Sequence, residues 1–291
     1  MDKYNCYTPK EVHENMVNAA VTKVNYSVLQ LMILGIMAGS CIALGAEASN
    51  TAMHAITNVG VARLVAGCVF PVGLIAMILA GGELFTGNCL MLGSVVNGKI
   101  KLSGMLRNWV IVYIFNMVGG VMIAAIVSQT GQWNFTDGML GAMTLKVAVG
   151  KVTMSHWTAF CSGIMCNVFV CLAVLMASAA KAVVGKILSI FFPICAFVIS
   201  GFEHCVANMY YIPAGIMASK NPEYVQKAQE LYGLSLDQIH QLSVGSFLYN
   251  NLLFVTAGNI IGGGVIIGLM YYAAFVHPQK KEQKQQLTLL L

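Results

Sequence analysis

The residues best suited to chemistry in this sequence lie where long apolar segments are interrupted. Glu83 and Glu203 each follow a glycine-containing interruption, and His204 comes directly after the second glutamate. An imidazole gives or accepts a proton near neutral pH, and an ionisable side chain at membrane depth has a functional role by default. Thr86 is predicted to lie at the depth of His204. The arrangement predicts hydrogen bonding and proton exchange with a small solute; a neutral core histidine bonded to a backbone carbonyl is the alternative.

The other polar candidates each allow two interpretations. A carboxylate beside a helix break either faces a solute or accepts backbone N–H bonds, and we assign Glu83 and Glu203 mainly to the second role. Buried amides either line a pathway or tie helices together, and we favour the ties. The amides in question are Asn88, Asn116, Asn167, Asn208 and Asn259.

Two lysines stand directly before apolar segments. Lys23 precedes the first segment and Lys151 precedes the fourth, so an inverted repeat would put them at opposite mouths of a central pathway. One positive charge at each mouth would concentrate anions there. The alternative is an ordinary lysine whose charge reaches the lipid headgroups.

Bulky apolar side chains cluster in the second and fifth segments. They are Phe70, Leu74, Phe191, Phe192 and Phe197. They are interpreted either as ordinary core or as apolar narrowings that stop hydrated ions.

The composition identifies the solvent for these segments as lipid. Of 291 residues, 58% are hydrophobic and only 9% are charged, and the mean hydropathy is +0.75. This leaves too little polar surface to cover a water-soluble globule of this size. Nine cysteines form no CxxC pair and no Cys/His cluster at metal spacing, so we interpret them as buried free thiols.

Six apolar segments are near the length that crosses a bilayer as a helix. They occupy residues 27–46, 64–82, 109–128, 157–180, 187–202 and 247–275. The second and fifth are interrupted and resume as shorter apolar pieces at 89–96 and 205–217. Non-helical backbone at membrane depth is tolerated only where protein or a watery cavity satisfies it, so the two breaks indicate one central pathway.

The two halves of the chain resemble each other. Three matches occur in the same order in both halves: Gly35-Ile36-Met37 with Gly163-Ile164-Met165, Glu83-x4-Asn88 with Glu203-x4-Asn208, and Asn116-Met117-Val118-Gly119-Gly120 with Asn259-Ile260-Ile261-Gly262-Gly263. Each repeat holds three spans, and an odd number forces the second copy to enter from the opposite face. The sequence therefore predicts an all-α membrane protein of two inverted three-helix repeats.

The segments outside the spans complete a single channel domain over residues 1–275. An interfacial helix is predicted at 8–24, because Thr8-Pro9-Lys10-Glu11 has the form of a capping box. The two repeats are placed at 27–128 and 157–275, a solvated helical excursion at 219–245, and a polar tail at 276–291. Lysine and arginine are more numerous on the face that holds both termini, which predicts cytoplasmic termini.

Two segments resemble the signatures of the formate/nitrite transporter family, in particular its formate channel branch. They are Gly82-Glu83-Leu84-Phe85-Thr86-Gly87-Asn88, and Ser200-Gly201-Phe202-Glu203-His204-Cys205-Val206-Ala207-Asn208-Met209 followed by Ile212-Pro213. The likeness runs from about residue 8 to 275. It implies aquaporin-like protomers in a homopentamer, each with its own pore, in the bacterial inner membrane, and it implies no prosthetic group. The Gly87-Asn88 pair replaces the Ser-Thr of the best-known formate channel.

The resemblance also implies residue roles. The family's central histidine falls on His204 and its loop threonine on Thr86. Its vestibule lysines fall on Lys23 and Lys151, and its supporting residues on Asn167 and Glu203. Phe70, Leu74, Leu84 and Phe197 match its hydrophobic constrictions.

Together these features predict passage of a small monovalent anion, with formate favoured over nitrite and hydrosulfide. An unpaired ion crosses an apolar narrowing only at a cost on the order of tens of kcal/mol by Born estimates, so neutralisation by proton sharing with His204 would remove most of the barrier. A neutral-solute channel for water or glycerol is the first rival. A membrane enzyme using Glu203 and His204 is the second, and it lacks an accompanying nucleophile, metal cluster or nucleotide loop.

Overall fold

The computed structural model describes residues 6–275, so the predicted tail at 276–291 lies outside the described residues. Six helical spans are long and apolar enough to cross a membrane. They are Val28–Met53, Val59–Ala80, Leu102–Val127, His156–Ala179, Val183–Ser200 and Ser246–Phe275. The number agrees with the six predicted segments.

The chain begins with α1 (Pro9–Asn25), an amphipathic helix whose start is specified locally. The Thr8 hydroxyl accepts the Glu11 backbone N–H, and the Glu11 carboxylate accepts the Thr8 N–H, which completes the predicted capping box. Val12, Val17 and Ala20 are buried on one face. The helix ends at Asn25, shortly before the first span begins at Val28, and this places Lys23 near the start of that span.

The first repeat contains one straight helix, one broken helix and a second straight helix. The straight helices are α2 (Val28–Met53) and α7 (Leu102–Val127). The broken helix comprises α3 (Val59–Val69), α4 (Pro71–Ala80), α5 (Phe85–Asn88) and α6 (Met91–Val96). A proline at residue 71 starts α4, where its missing N–H and fixed φ fit the first turn.

The second repeat has the same plan after α8 (Phe135–Val152). Its first span is α9 (His156–Ala179), and its broken helix comprises α10 (Val183–Ser200) and α11 (Cys205–Ala218). Its last span begins with a π-helical segment at Ser246–Leu252 and continues as α14 (Leu253–Ile260). A second π-helical segment, Ile261–Leu269, joins α14 to α15 (Met270–Phe275). The predicted inverted three-helix repeats, with broken second and fifth spans, are confirmed.

Both breaks use the same local device. Gly81 has φ +81° and Gly201 has φ +71°, a left-handed conformation that ends α4 and α10 and that only glycine adopts cheaply. The chain then runs extended for a few residues through Glu83 and Glu203 before the next helix begins. The interruption is therefore encoded by one glycine in each repeat.

Three helices lie outside the spans on one face of the membrane, which we call the α8 face. They are α8, α12 (Pro222–Tyr232) and α13 (Leu236–His240). The excursion predicted at 219–245 is thus helical, but α8 has no counterpart in the sequence interpretation, although it carries Lys151. Lys227 of α12 donates to Asp137 Oδ2 at 2.5 Å, and this hydrogen bond with its charge lowers the pKa of the Asp137 carboxyl. The opposite face carries α1 and is called the α1 face.

The predicted end of the first span was wrong. The charge-free run stops at residue 46, whereas α2 continues to Met53 and encloses Glu47, which is only 4% exposed. A run defined by absence of charge ends at any carboxylate, even one that tertiary contacts bury. Glu47 is therefore a membrane-embedded acid that the sequence interpretation left out.

The straight helices of each repeat cross at glycines. In α7, a Cβ at Gly119 would overlap the Ile36 carbonyl oxygen of α2 and lie 2.8 Å from the Ser40 nitrogen. In α14 and the segment after it, added Cβ atoms at Gly258 and Gly262 would overlap carbonyl oxygens of α9. Backbones in contact leave room for no side chain, so these glycines set the distance between the spans.

Replacing Gly119 by alanine is expected to destabilise the protein by about 1–3 kcal/mol, because the new methyl group has to push apart two backbones. The matched control is Gly150→Ala in α8, where an added Cβ meets nothing within 4 Å. Thermal unfolding of detergent-purified protein should show a lower Tm for Gly119→Ala only. Equal Tm values for the two variants would contradict this account of the crossing.

Candidate functional site

The two breaks meet at a single side-chain contact. Thr86 Oγ1 of α5 lies 2.9 Å from His204 Nε2, although 118 positions separate them in the chain. Thr86 is 0% exposed and His204 is 3% exposed. The two residues, predicted to lie at the same depth, are in direct hydrogen-bond contact, and both are buried.

Two asparagines hold the breaks in place. Asn116 Nδ2 donates to the carbonyls of Gly35 and Glu83 at 2.8 and 2.9 Å, and its Oδ1 accepts the Phe85 N–H at 2.9 Å. Each amide satisfies backbone groups that the interrupted helix leaves without partners, which lipid cannot do. Asn116 thus ties α7 to α2 and to the first break, as the sequence predicted.

The second repeat contains the same pattern. Asn259 Nδ2 donates to the carbonyls of Gly163 and Glu203 at 2.7 and 3.0 Å, and its Oδ1 accepts the Cys205 N–H at 2.9 Å. Every partner is the repeat mate of one in the first half. The inverted symmetry thus extends to individual hydrogen bonds.

The tautomer of His204 follows from its position as the N-cap of α11. The Ala207 backbone N–H donates to His204 Nδ1 at 3.0 Å, so Nδ1 is an acceptor and carries no proton. In the neutral ring the proton then resides on Nε2, which donates to the Thr86 hydroxyl. Adding a second proton at Nδ1 would sacrifice the cap, because two N–H groups would face each other. The fold therefore presents a neutral imidazole with one N–H directed at Thr86.

Asn167 of α9 fixes the other side of the contact. Its Nδ2 donates to the Thr86 carbonyl at 3.1 Å and to the Asn259 carbonyl at 2.6 Å. This amide links α9 to α5 and α14. Asn167 thus positions the threonine.

Aromatic and aliphatic side chains enclose the contact. The rings of Phe70 and Phe197 meet edge to face with centroids 5.5 Å apart, and the Phe197 ring lies 6.2 Å from that of His204. Leu74 and Leu84 are buried in the same cluster. The four residues matched to constrictions are all at most 4% exposed, so a hydrated ion has no room beside them.

On the α1 face, Lys23 belongs to a polar cluster. Its Nζ lies 2.9 Å from Glu83 Oε1 and 2.6 Å from Asn88 Oδ1. Asn88 Nδ2 in turn donates to Glu83 Oε2 at 2.7 Å and to Asn108 Oδ1 at 2.8 Å. The lysine is therefore neutralised by a buried carboxylate and held by an amide.

The α8 face has the corresponding cluster. Lys151 Nζ donates to Glu203 Oε1 at 2.8 Å, and Asn208 Nδ2 donates to Glu203 Oε2 and to Asn251 Oδ1, both at 2.7 Å. Asn251 Nδ2 returns to the Lys151 carbonyl at 3.0 Å. The Lys151 side chain is 13% exposed, against 24% for Lys23.

These clusters change two expectations. The expected backbone N–H donors to Glu83 and Glu203 are replaced by side chains, since a lysine and an asparagine donate to each carboxylate in the described part of the chain. The lysines are ion-paired rather than free charges. An arriving anion therefore has to compete with a carboxylate for each ammonium group.

The sequence interpretation missed Asn108 and Asn251, the outer amides of the two clusters. Both are 0% exposed and lie within apolar spans, and a polar residue buried in a span is the signal that would have selected them. It also missed Glu47 for the reason given above.

Comparison with known proteins agrees with this architecture. The profile described as formate/nitrite transporter matches residues 10–273. The chain is 39% identical over 266 residues to the formate channel FocA of Haemophilus influenzae, covering 90% of this chain and 92% of that protein. It is 36% identical over 265 residues to the probable formate transporter of Methanothermobacter thermautotrophicus, covering 85% and 89%.

A solved structure gives the same result. The pentameric formate channel with formate bound is 33% identical, with a TM-score of 0.74, covering 86% of this chain and 98% of that one. The six apolar spans and the two broken helices, joined through an imidazole and a hydroxyl, agree with these likenesses. The protein is a multi-pass membrane protein that belongs to the formate/nitrite transporter family.

Proposed function

We propose that this protein is a channel for small monovalent anions and that formate is its main permeant. The observation that carries the proposal is the Thr86–His204 contact, because it places two hydrogen-bonding groups where both broken helices meet. Its relatives include proteins named formate channel and probable formate transporter. The dry surroundings of the contact favour a permeant small enough to pass without its water shell.

Entry at either face is proposed to begin at a lysine cluster. An anion that approaches Lys23 or Lys151 gains a charge-assisted hydrogen bond, and it displaces part of the lysine's bond to Glu83 or Glu203. The carboxylate keeps its asparagine donor during this exchange. Each cluster can therefore bind an anion without leaving its buried carboxylate without a hydrogen-bond donor. In the cluster of Lys151, Asn208 and Glu203 are the supporting residues.

Passage through the centre is proposed to combine hydrogen bonding with proton sharing. The Nε2–H of His204 and the Thr86 hydroxyl both turn from each other to the permeant oxygen atoms. An anion beside the imidazole raises its affinity for a proton. A hydronium ion then protonates Nδ1 and leaves as water, at the cost of the bond from the Ala207 N–H, while the Nε2 proton passes to the anion. The weak acid crosses the apolar narrowing without the cost of an unpaired charge, and on the far side it returns its proton to Nε2 as the Nδ1 proton is released to water and the cap re-forms. Phe70, Leu74, Leu84 and Phe197 have to shift for it to pass.

The organisation of the chain is part of the proposal. Residues 1–275 form one channel domain, α1 lies along the membrane surface, and residues 276–291 form a cytoplasmic tail. We propose residence in the bacterial inner membrane with both termini in the cytoplasm, and assembly as a homopentamer in which each protomer has its own pore. A solved relative is described as a pentamer, and exposed apolar side chains such as Leu64, Leu188 and Phe192 give this chain surfaces for lipid and neighbours.

Purified protein in liposomes is expected to carry formate faster than lactate and to leave glycerol excluded, because the narrowing passes only small solutes that bind His204. Nitrite and hydrosulfide are the competing permeants, since their size and single charge suit the same site. Light-scattering and pH-sensitive dye measurements of each solute, with and without a pH gradient, rank them. Glycerol swelling equal to formate flux would favour a neutral-solute channel instead.

Replacing His204 by alanine or phenylalanine is expected to remove the pH dependence of formate flux and to lower it about tenfold or more, since a hydrogen bond to a charged group contributes roughly 1.5–3 kcal/mol. The measurement is initial formate flux into proteoliposomes between pH 5 and 8. His156→Ala is the control, because His156 is an exposed residue that stacks on Phe254 outside the centre. Unchanged pH dependence in both His204 variants would refute the proposed role.

Replacing Lys151 by methionine is expected to lower formate flux at low concentration several-fold, because the charge that attracts the anion is lost. The variant also leaves Glu203 without its cation, so the double variant Lys151→Met, Glu203→Gln restores electrical neutrality. If the lysine serves capture, the double variant recovers thermal stability but not flux. Recovery of both would show that the ion pair is purely structural. Lys227→Met, on the outside of the α8 face, is the matched control for the loss of one charge.

A further inference from the structure

Glu47 is a buried carboxyl that the proposed transport mechanism does not use. It lies in α2, six residues before the end of the helix at Met53, which places it about 9 Å below the α8 face at 1.5 Å per residue. Only 4% of the residue is exposed. A carboxyl at this depth requires partners.

The partners of Glu47 are neutral. The Tyr210 hydroxyl of α11 donates a short hydrogen bond to Glu47 Oε2, and Thr51 Oγ1 lies 3.5 Å from Oε1. Within residues 6–275 the ion pairs join other residues, and none of them includes Glu47. This differs from Glu83 and Glu203, each of which has a lysine. An ionised Glu47 is therefore a charge whose partners, Tyr210, Thr51 and the Trp133 indole, are all neutral.

The inverted repeat shows that packing does not require this pair. The repeat mate of Glu47 is Leu175, by the register of Gly35 with Gly163, and the mate of Tyr210 is Leu90, by the register of Glu83 with Glu203. Leu90 and Leu175 belong to one apolar cluster on the α1 side, at 8% and 7% exposure. The same position in the fold thus holds two leucines in one half and an acid with a phenol in the other.

A polar path joins Glu47 to the α8 face. Gln132, partly exposed in the loop before α8, donates from Nε2 to Thr51 Oγ1 at 3.0 Å, and Thr51 contacts the carboxyl. Beside this path, both polar atoms of the Asn50 side chain have no direct partner among the described residues. Orphaned buried groups of this kind commonly bind ordered water. Water at these groups would complete a route for protons.

On its inner side Glu47 faces the lysine cluster through two tyrosines. Tyr210 and Tyr211 are neighbours with ring centroids 5.8 Å apart, and Lys151 Nζ lies 5.0 Å from the centroid of Tyr211. Glu47, Tyr210, Tyr211 and Lys151 thus form a continuous row of contacts, which places the charge of Glu47 near the position where an anion meets Lys151.

We propose that Glu47 takes up and releases a proton from the α8 face, and that its charge controls how readily an anion occupies the Lys151 cluster. In the uptake step, hydronium transfers one proton to carboxylate Oε1 and leaves as water, while Tyr210 keeps its bond to Oε2. The neutral acid removes a negative charge near Lys151, so anions enter more readily when that face is acidic. This inference rests on the proposed anion transport and adds a proton-responsive residue on one side of it.

Other titratable groups around Glu47 are accounted for. His54 caps α2 and contacts the Thr51 carbonyl and the Thr136 hydroxyl rather than the carboxyl. Arg63 of α3 donates to the Ile199 carbonyl. From α11 the facing groups are Tyr210 and Tyr211. The charged residues of α8 have other partners: Lys151 pairs with Glu203, Asp137 with Lys227, and Lys146 lies over the Tyr232 ring. Among the buried carboxyls of the described chain, Glu83 and Glu203 each have a lysine, whereas Glu47 has neutral partners.

The test compares formate flux through Glu47→Gln and wild-type protein in proteoliposomes, at equal pH on both sides from 5 to 8. Glutamine reproduces the neutral acid, so the flux ratio of variant to wild type is expected to be near one at pH 5. It should rise to about three- to tenfold at pH 8, the scale of one charge acting over roughly 10 Å near a protein surface. Glu230→Gln on α12 makes the same change at an exposed position of the α8 face and should keep the ratio at one.

A second variant is a control for the case in which Glu47→Gln itself disturbs folding. Glu47→Leu with Tyr210→Leu copies the leucine pair of the other half, so it preserves apolar packing and should behave as Glu47→Gln does. A ratio that stays at one from pH 5 to 8 in both variants overturns the inference, while His204-dependent formate flux in wild type leaves the proposed function intact. Absence of formate flux in wild-type protein overturns the proposed function. In right-side-out and inverted membrane vesicles, a pH effect exerted from the α1 face instead would also overturn the inference.

Discussion

Backbone that leaves the helix inside a membrane has to find hydrogen-bond partners within the protein, and this requirement organises the whole structure. Two helices break at Gly81 and Gly201, and the freed groups are taken up by Asn116 and Asn259. Each asparagine also binds a carbonyl of the first span of its repeat. The breaks are therefore fixed relative to the straight helices, and the straight helices are fixed by glycine contacts. Any group carried by the breaks inherits this rigidity.

The protonation pattern of the centre is a consequence of that rigidity. His204 caps α11 through Nδ1, and this one bond decides which nitrogen keeps a proton and where that proton is directed. Thr86 is held from the opposite break by Asn167. A histidine placed on a regular helix would have neither constraint. The geometry thus prepares a neutral hydrogen-bond donor in a dry segment, which is the state that suits a permeant that must lose its charge or its water.

The two halves agree in their central bonds and differ in their surroundings. The Lys-Glu-Asn-Asn clusters are nearly equivalent, yet the α8 half adds Glu47 and two tyrosines where the α1 half has Leu175, Leu90 and a methionine. The asymmetric acid is the feature that can make one entrance respond to pH, because a charge near a lysine changes how strongly that lysine attracts anions.

The sequence by itself determined the class of the fold and the central pair. Hydropathy fixed six spans because lipid excludes polar segments, glycines marked both breaks, and three repeated motifs implied inversion. His204 and Thr86 could be selected because polar residues at membrane depth are rare, and the lysines because each precedes the first span of a repeat. Only the tertiary structure decided what those residues bind, since partners such as Lys23 with Glu83, or Glu47 with Tyr210, lie 60 and 163 positions apart. Helix α8 and the burial of Glu47 could not be predicted from the sequence. The pattern of apolar and charged residues along a chain does not show which surfaces a distant helix will cover.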